Sequence, residues 1–114
     1  MSRTFSLPIL AVLAAGMLAA SPAAHAEDLV VNLTIRDHKF EPATVNVPAN
    51  TRVKLLIRNT DATPEEFESH VLNREKVIAG NSTGTVLIGP LKPGAYSFVG
   101  EFHEKTAKGV ILAK

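Results

Sequence analysis

Six residues in two short stretches have the side chains and the spacing that metal-binding chemistry would need. Glu65, Glu66 and Glu68 stand within four positions of one another, and Glu101, His103 and Glu104 repeat that density further on. Carboxylates with a single imidazole form a hard, oxygen-rich donor set, suited to iron, manganese or copper(II) rather than copper(I). Crowded carboxylates repel one another when ionised, and a bound cation relieves that cost. The chain has no cysteine, so thiolate ligation and thiol redox chemistry are excluded. The competing structural reading is a solvated acidic face, with Lys105 and Lys108 as the counter-charges. In an extended segment Glu66 and Glu68 share one side while Phe67 points to the core, so the three glutamates do not all face the same way. Which of them turns toward a site stays open at this level. His38, in Asp37-His38-Lys39-Phe40-Glu41-Pro42, reads as a solvated turn residue. His70 reads as a surface residue.

The elements that must position these residues are strands. Val31, Leu33 and Ile35 alternate with Asn32, Thr34 and Arg36, and Val53, Leu55 and Ile57 alternate with Lys54, Leu56 and Arg58. Asp37 to Pro42 and Pro48-Ala49-Asn50 break the pattern. Thr44 to Val47, Thr83 to Ile88, Tyr96 to Val99 and Gly109 to Ala113 are further strands, and Phe67 to Leu72 is a weaker one. Lys76 to Ala79 is expected as a short helical turn or loop. Gly89-Pro90-Leu91-Lys92-Pro93-Gly94 is a turn signal. Phe40, Phe67, Tyr96 and Phe98 are the expected aromatic core, and Phe102 is placed to shield the site from water. About seven short strands at regular spacing, without an amphipathic helix, predict an all-β sandwich.

The first residues read as an export signal. A positive start at Arg3, an apolar run from Leu7 to Ala20 and the triplet Ala24-His25-Ala26 place cleavage after Ala26. The run is short for a hydrocarbon core of roughly 30 Å. One domain, residues 27–114, is then expected in the periplasm, with no membrane insertion after cleavage. With Arg3 removed the basic residues equal the 11 acidic ones. A neutral domain has no electrostatic case for binding nucleic acid or an anionic membrane.

Two motifs carry a family resemblance. Asn59-Thr60-Asp61-Ala62-Thr63-Pro64-Glu65 resembles the cupredoxin loop in which a strand ends in Asn, followed by Pro and the first histidine ligand. Pro93-Gly94-Ala95-Tyr96-Ser97-Phe98-Val99-Gly100, leading through His103 to Lys108, resembles the turn, strand and loop that deliver the cysteine, second histidine and methionine. The resemblance spans nearly all of residues 27–114 and implies a Greek-key β-sandwich of the cupredoxin type. Glu65 stands in the first histidine position, Gly100 in the cysteine position and Lys108 in the methionine position; His103 alone is retained. A blue-copper centre therefore lacks its ligands.

The same resemblance implies that both loops meet at one end of the sandwich, and that the Asp37 to Pro42 loop lies near that end with His38 or Glu41 as a reserve ligand. The expected metal ligands are then Glu66, Glu68, Glu101 and His103, with Glu65 and Glu104 as outer or alternate ligands. Glu66-Phe67-Glu68, Lys92-Pro93-Gly94 and Gly100-Glu101-Phe102-His103 are similar to the cupredoxin-like domains of bacterial iron-uptake systems, the EfeO-type domain and the small FtrB-type periplasmic protein. That likeness implies an iron or copper(II) ion as cargo or cofactor. Its implied partners are an inner-membrane iron permease and a periplasmic copper- and iron-binding protein. Three functions follow as expectations: a metal-binding module that relays iron, a ferroxidase component acting only beside a copper-binding partner, or a metal-free docking sandwich.

Overall fold

The computed structural model describes residues 27–114, together with Thr4, so the expected export signal lies, Thr4 apart, outside the described residues. Among the described residues nine strands form two sheets. They are β1 (Leu29–Arg36), β2 (Lys39–Glu41), β3 (Thr44–Val47), β4 (Val53–Asn59), β5 (Glu65–Ser69), β6 (Arg74–Ile78), β7 (Ser82–Ile88), β8 (Gly94–Gly100) and β9 (Lys108–Ala113). One sheet runs β2-β1-β4-β7 and the other β3-β9-β8-β5-β6. The β1–β4 and β3–β9 pairs are parallel, which demands crossover connections between the layers. Among the described residues the only helical element is one 3-10 turn, η1 (Glu101–His103), and no helix is long and apolar enough to cross a membrane.

The alternation in the sequence becomes the core. Leu33 and Ile35 from β1, with Leu55 and Ile57 from β4, face Val45, Phe67, Phe98 and Ile111 from the second sheet, and all are buried. Removing each large side chain from water contributes roughly 1.5–3 kcal/mol. Phe40 sits edge-on to Phe98 at 4.9 Å, and Phe67 lies 5.0 Å from Phe98, giving an aromatic layer directly beneath the loops of interest. Tyr96 is partly buried against this core and its hydroxyl donates to the Lys92 carbonyl at 2.7 Å.

Two elements differ from the sequence expectation. Asp37 to Pro42 does break β1, but as a hairpin: Arg36 pairs with Lys39, and the two turn residues Asp37 and His38 have φ of 51° and 57°. Positive φ at both central residues matches the right-handed twist of the flanking strands. Lys76 to Ala79 is no helical turn, because Lys76 to Ile78 lie in β6, hydrogen-bonded antiparallel to β5 from Glu65↔Ile78 to Ser69↔Arg74. That strand presents only Ile78 to the core and leaves its other residues exposed, so it has no apolar alternation to detect. The pairing also places β5 at Glu65–Ser69 instead of the expected Phe67 to Leu72, leaving His70 to Leu72 in the turn to β6.

Candidate metal centre

β5 is flanked by β6 and β8 within its sheet, and the alternation of a strand fixes where each glutamate points. Glu65 shares the inward parity of Phe67 and is 1% exposed; Glu66 lies on the opposite face, yet is only 7% exposed. The two stretches do meet: β5 pairs with β8 through Phe67↔Gly100 and Glu68↔Val99, which sets η1 against the start of β5. Five of the six expected ligands are nevertheless divided between two donor groups, and Glu104 joins neither.

The inward group is His38, Glu65 and His103, whose donor atoms all lie within 4.8 Å of one another. Glu65 Oε1 accepts the N–H of Glu66 at 3.0 Å and that of Phe102 at 2.9 Å. Its Oε2 lies 2.5 Å from His103 Nδ1. A carboxylate buried this deeply is tolerable only with such partners. The His103 ring stacks on His38 with centroids 3.6 Å apart and planes at 14°. His38, expected as a solvated turn residue, is thus half-buried against the site; its Nδ1 stands 3.5 Å from Asp61 Oδ2. Asp61 is held below the usual carboxylate range, first by the His38 N–H bond and further by the Asp37 N–H and the two imidazoles, against an opposing effect of burial.

Gly100, in the position where a thiolate would stand, has no room for one. A Cβ there would lie 2.6 Å from the Ala107 Cβ and 2.7 Å from the Glu65 Cδ. The residues present do not fit a copper–thiolate centre, by composition and by space.

The outward group is Glu66, Glu68 and Glu101, again with donor atoms within 4.8 Å. Register places Glu75 of β6 directly opposite Glu68. Glu66 is pushed up to about 7, first by a carboxyl–carboxyl hydrogen bond with Glu75, then by desolvation, then by Glu101. Glu68 is also raised, first by its bond to Glu101 and then by desolvation, with His70 opposing. Carboxyl groups this close repel one another when ionised, and a bound cation would relieve that cost. Among the described residues His70 is the one basic group in ion-pair reach, at 3.3 Å from Glu68, and neither Lys105 nor Lys108 pairs with the cluster. Arg74 bonds instead to the carbonyls of Leu87, Asn73 and Leu72.

Glu104 is exposed and belongs to neither donor group. It lines an open depression of about 540 Å³ with His38 and His103, and Phe102, 49% exposed, forms part of the rim rather than a lid. Glu75 carries no signal of its own in the sequence, because β6 lacks apolar alternation and its residues read as a loop. Only the β5–β6 hairpin register places it across from Glu68.

The sequence matches the family model described as "Cupredoxin-like domain" over residues 9–113. It is 49% identical over 84 residues to an uncharacterized protein of Rickettsia prowazekii (strain Madrid E), covering 74% of this chain and 67% of that protein. Similar solved structures include auracyanin A, a "blue" copper protein from Chloroflexus aurantiacus, at a TM-score of 0.67 and 13% identity, covering 77% of this chain and 100% of that one. Another is the metal-binding domain of the Cu(I)-exporting P-type ATPase CopA of Streptococcus pneumoniae D39 with Cu(I), at 0.66 and 11% identity, covering 75% and 84%. At such identities the likeness concerns the fold.

Proposed function

The chain belongs to the cupredoxin-like domain family, and on that premise we propose that it is a periplasmic metal-binding protein of an iron-uptake system. Iron is the cargo, held by Glu66, Glu68 and Glu101 with Glu75 alongside, and passed toward an inner-membrane iron permease with a periplasmic copper- and iron-binding protein as partner. The observation that carries this reading is Glu66. It is 7% exposed, faces the carboxyl groups of Glu68, Glu75 and Glu101, and accepts no hydrogen bond from an N–H group or from a Ser, Thr or Tyr hydroxyl among the described residues. Protein side chains supply little positive charge there, so a hard cation is the natural counter-charge. The resemblance to iron-uptake domains supports the transport setting.

A second reading rests on a different observation, the stacked His38 and His103 beside Glu65. Imidazole suits copper(II), and the copper proteins with this fold support copper at that set. The ferroxidase alternative keeps its copper-binding partner: iron(II) held by the carboxylates would give one electron to copper(II) on that partner, to yield iron(III) and copper(I). Calorimetric titration of metal-free residues 27–114 with iron(II) (anaerobically), manganese(II) and copper(II) tests both. Saturable iron(II) or manganese(II) binding that Glu66→Gln and Glu101→Gln weaken is expected. Its absence, with and without the partner, would leave the metal-free docking sandwich.

A further inference from the structure

Acids and bases balance over residues 27–114, but the fold sorts them onto different faces. On the β2-β1-β4-β7 sheet the residues that alternate with the buried ones turn outward, away from the core. Cross-strand register sets these outward residues in rows. Lys54 lies between Val30 and Leu87 in one row. Arg58 lies two rows further on, level with Thr34 and Glu41, and Arg36 stands beside Lys39 in the row beyond.

Four cations and one anion therefore share this face. Lys39, Lys54 and Arg58 enter no ion pair among the described residues. Arg36 meets Glu41 only at 3.8 Å, with both side chains more than half exposed, so that pair neutralises little. Val30 and Leu87, on either side of Lys54, are 50% and 51% exposed. The outer face of the other sheet has the opposite sign, since Glu66, Glu68 and Glu75 project from it with Glu101 close by. The outer faces of two packed sheets point in opposite directions, so the domain is neutral in total and polarised across its thickness.

We infer that the outer face of the β2-β1-β4-β7 sheet docks on an anionic phospholipid bilayer, with Lys54, Arg58, Arg36 and Lys39 at the headgroups and Val30 and Leu87 in the interface. Attraction to anionic lipid accumulates over basic side chains held near the surface, and apolar contact adds to it. Cations spread over several rows, among aliphatic side chains and without fixed partners, suit a fluid anionic plane, which demands no register. A second copy joined through the same face would set like charges against one another. The bilayer also repels the carboxylate face, so the docked domain holds Glu66, Glu68 and Glu101 toward the water. Because it concerns metal-free protein, this docking is independent of the metal proposed above, and its failure leaves that proposal standing.

The test uses metal-free residues 27–114, which contain both sheets and their shared core. Cosedimentation at low ionic strength is expected to show saturable binding to mixed phosphatidylglycerol–phosphatidylcholine vesicles and none to phosphatidylcholine alone. Binding should weaken at about 0.15 M salt, where the Debye length is about 8 Å. Lys54→Glu with Arg58→Glu should weaken it at least about tenfold. Lys76→Glu with Lys108→Glu makes the same change of charge on the other sheet and should weaken it by less than about threefold. Lys39→Gln with Arg58→Gln, at two exposed positions, carries the test if the first variant does not fold. The chain has no tryptophan, so single reporters give the orientation. Leu87→Trp fluorescence should shift to the blue on mixed vesicles, and Val77→Trp, on the sheet of the carboxylates, should not.

No binding to mixed vesicles at low salt, equal binding to both vesicle types, or equal loss in both charge-reversed variants would overturn the inference. A blue shift at Val77→Trp in place of Leu87→Trp would do the same. Self-association of lipid-free protein that Lys54→Glu with Arg58→Glu abolishes, without vesicle binding, would make the face an interface between copies and overturn the lipid assignment.

Discussion

Glu65 fills the space that a side chain at position 100 would occupy, its Oε1 lying 2.9 Å and its Cδ 2.7 Å from a Cβ built on Gly100. The two residues are therefore coupled. An inward carboxylate at 65 requires glycine at 100, and a thiolate at 100 requires that carboxylate to leave. Glycine at 100 and the inward carboxylate at 65 are thus one structural feature, and it lines the interior of the site with hard rather than soft donors.

Gly100→Ala is expected to cost roughly 1–3 kcal/mol through overpacking against Glu65 and the Ala107 Cβ. In a Glu65→Ala background part of that cost should disappear, because only the Ala107 contact remains. Urea denaturation of the four proteins of the cycle gives the coupling, expected at about 0.5–3 kcal/mol. Strict additivity would show that the two residues do not compete for space. Gly100→Cys with Glu65 retained should give no intense thiolate-to-copper absorption band.

Asn59 offers a second stability test. Fully buried, it donates from Nδ2 to the Thr63 carbonyl at 2.8 Å and lies 3.2 Å from the Ile78 carbonyl, while Oδ1 accepts the Asp61 N–H. Asn59→Ala should cost about 2–4 kcal/mol, the sum of a few buried hydrogen bonds at roughly 1 kcal/mol each and the groups left unpaired. Asn59→Asp should be worse at neutral pH, since it turns an oxygen toward carbonyl oxygens, and it should recover in part on acidification. Denaturation midpoints at two pH values decide it.

Much of the sandwich was legible because β1 and β4 bury alternate residues of one face, and period-two apolarity is what such burial writes into a sequence. β6 was illegible for the converse reason, since Ile78 alone of its residues reaches the core. The parity of Glu66 and Glu68 against Phe67 correctly separated their direction from that of Glu65. What parity does not carry is distance across the fold. The approach of His38 to Asp61 and His103, and of Glu68 to Glu75, arises from turn geometry and cross-strand register, neither of which has a local sequence period.

Acidity should stabilise the metal-free protein over a defined range. Glu66 titrates near 7 in the folded state against an ordinary value of 4.5, and Glu68 is raised as well. Between those values the folded state holds more protons than the unfolded chain, so stability falls as pH rises through the window and is greatest below it. Asp61, being lowered, acts oppositely, but only as pH falls through and below its ordinary 3.8. Chelator-treated protein is therefore expected to melt at a higher temperature at pH 5 than at pH 7.5. Glu66→Gln should flatten that slope; an unchanged slope would show that the carboxyl cluster does not set it.

Metal addition and removal should separate the two donor groups, because Glu65 and Glu66 leave β5 on opposite faces and the groups share no residue. An ion that binds only the folded state raises stability by about 2.7 kcal/mol at a hundredfold excess over its Kd. Manganese(II), which does not oxidise under these conditions, is the probe for the carboxylates, and copper(II) the probe for the imidazoles. Glu66→Gln with Glu101→Gln should abolish the manganese-induced rise in melting temperature and leave a copper-induced rise in place. His38→Ala with His103→Ala should do the reverse, and EDTA should return every sample to its metal-free value. Loss of both responses in either double variant would mean that a single shared site, built across β5, binds both ions.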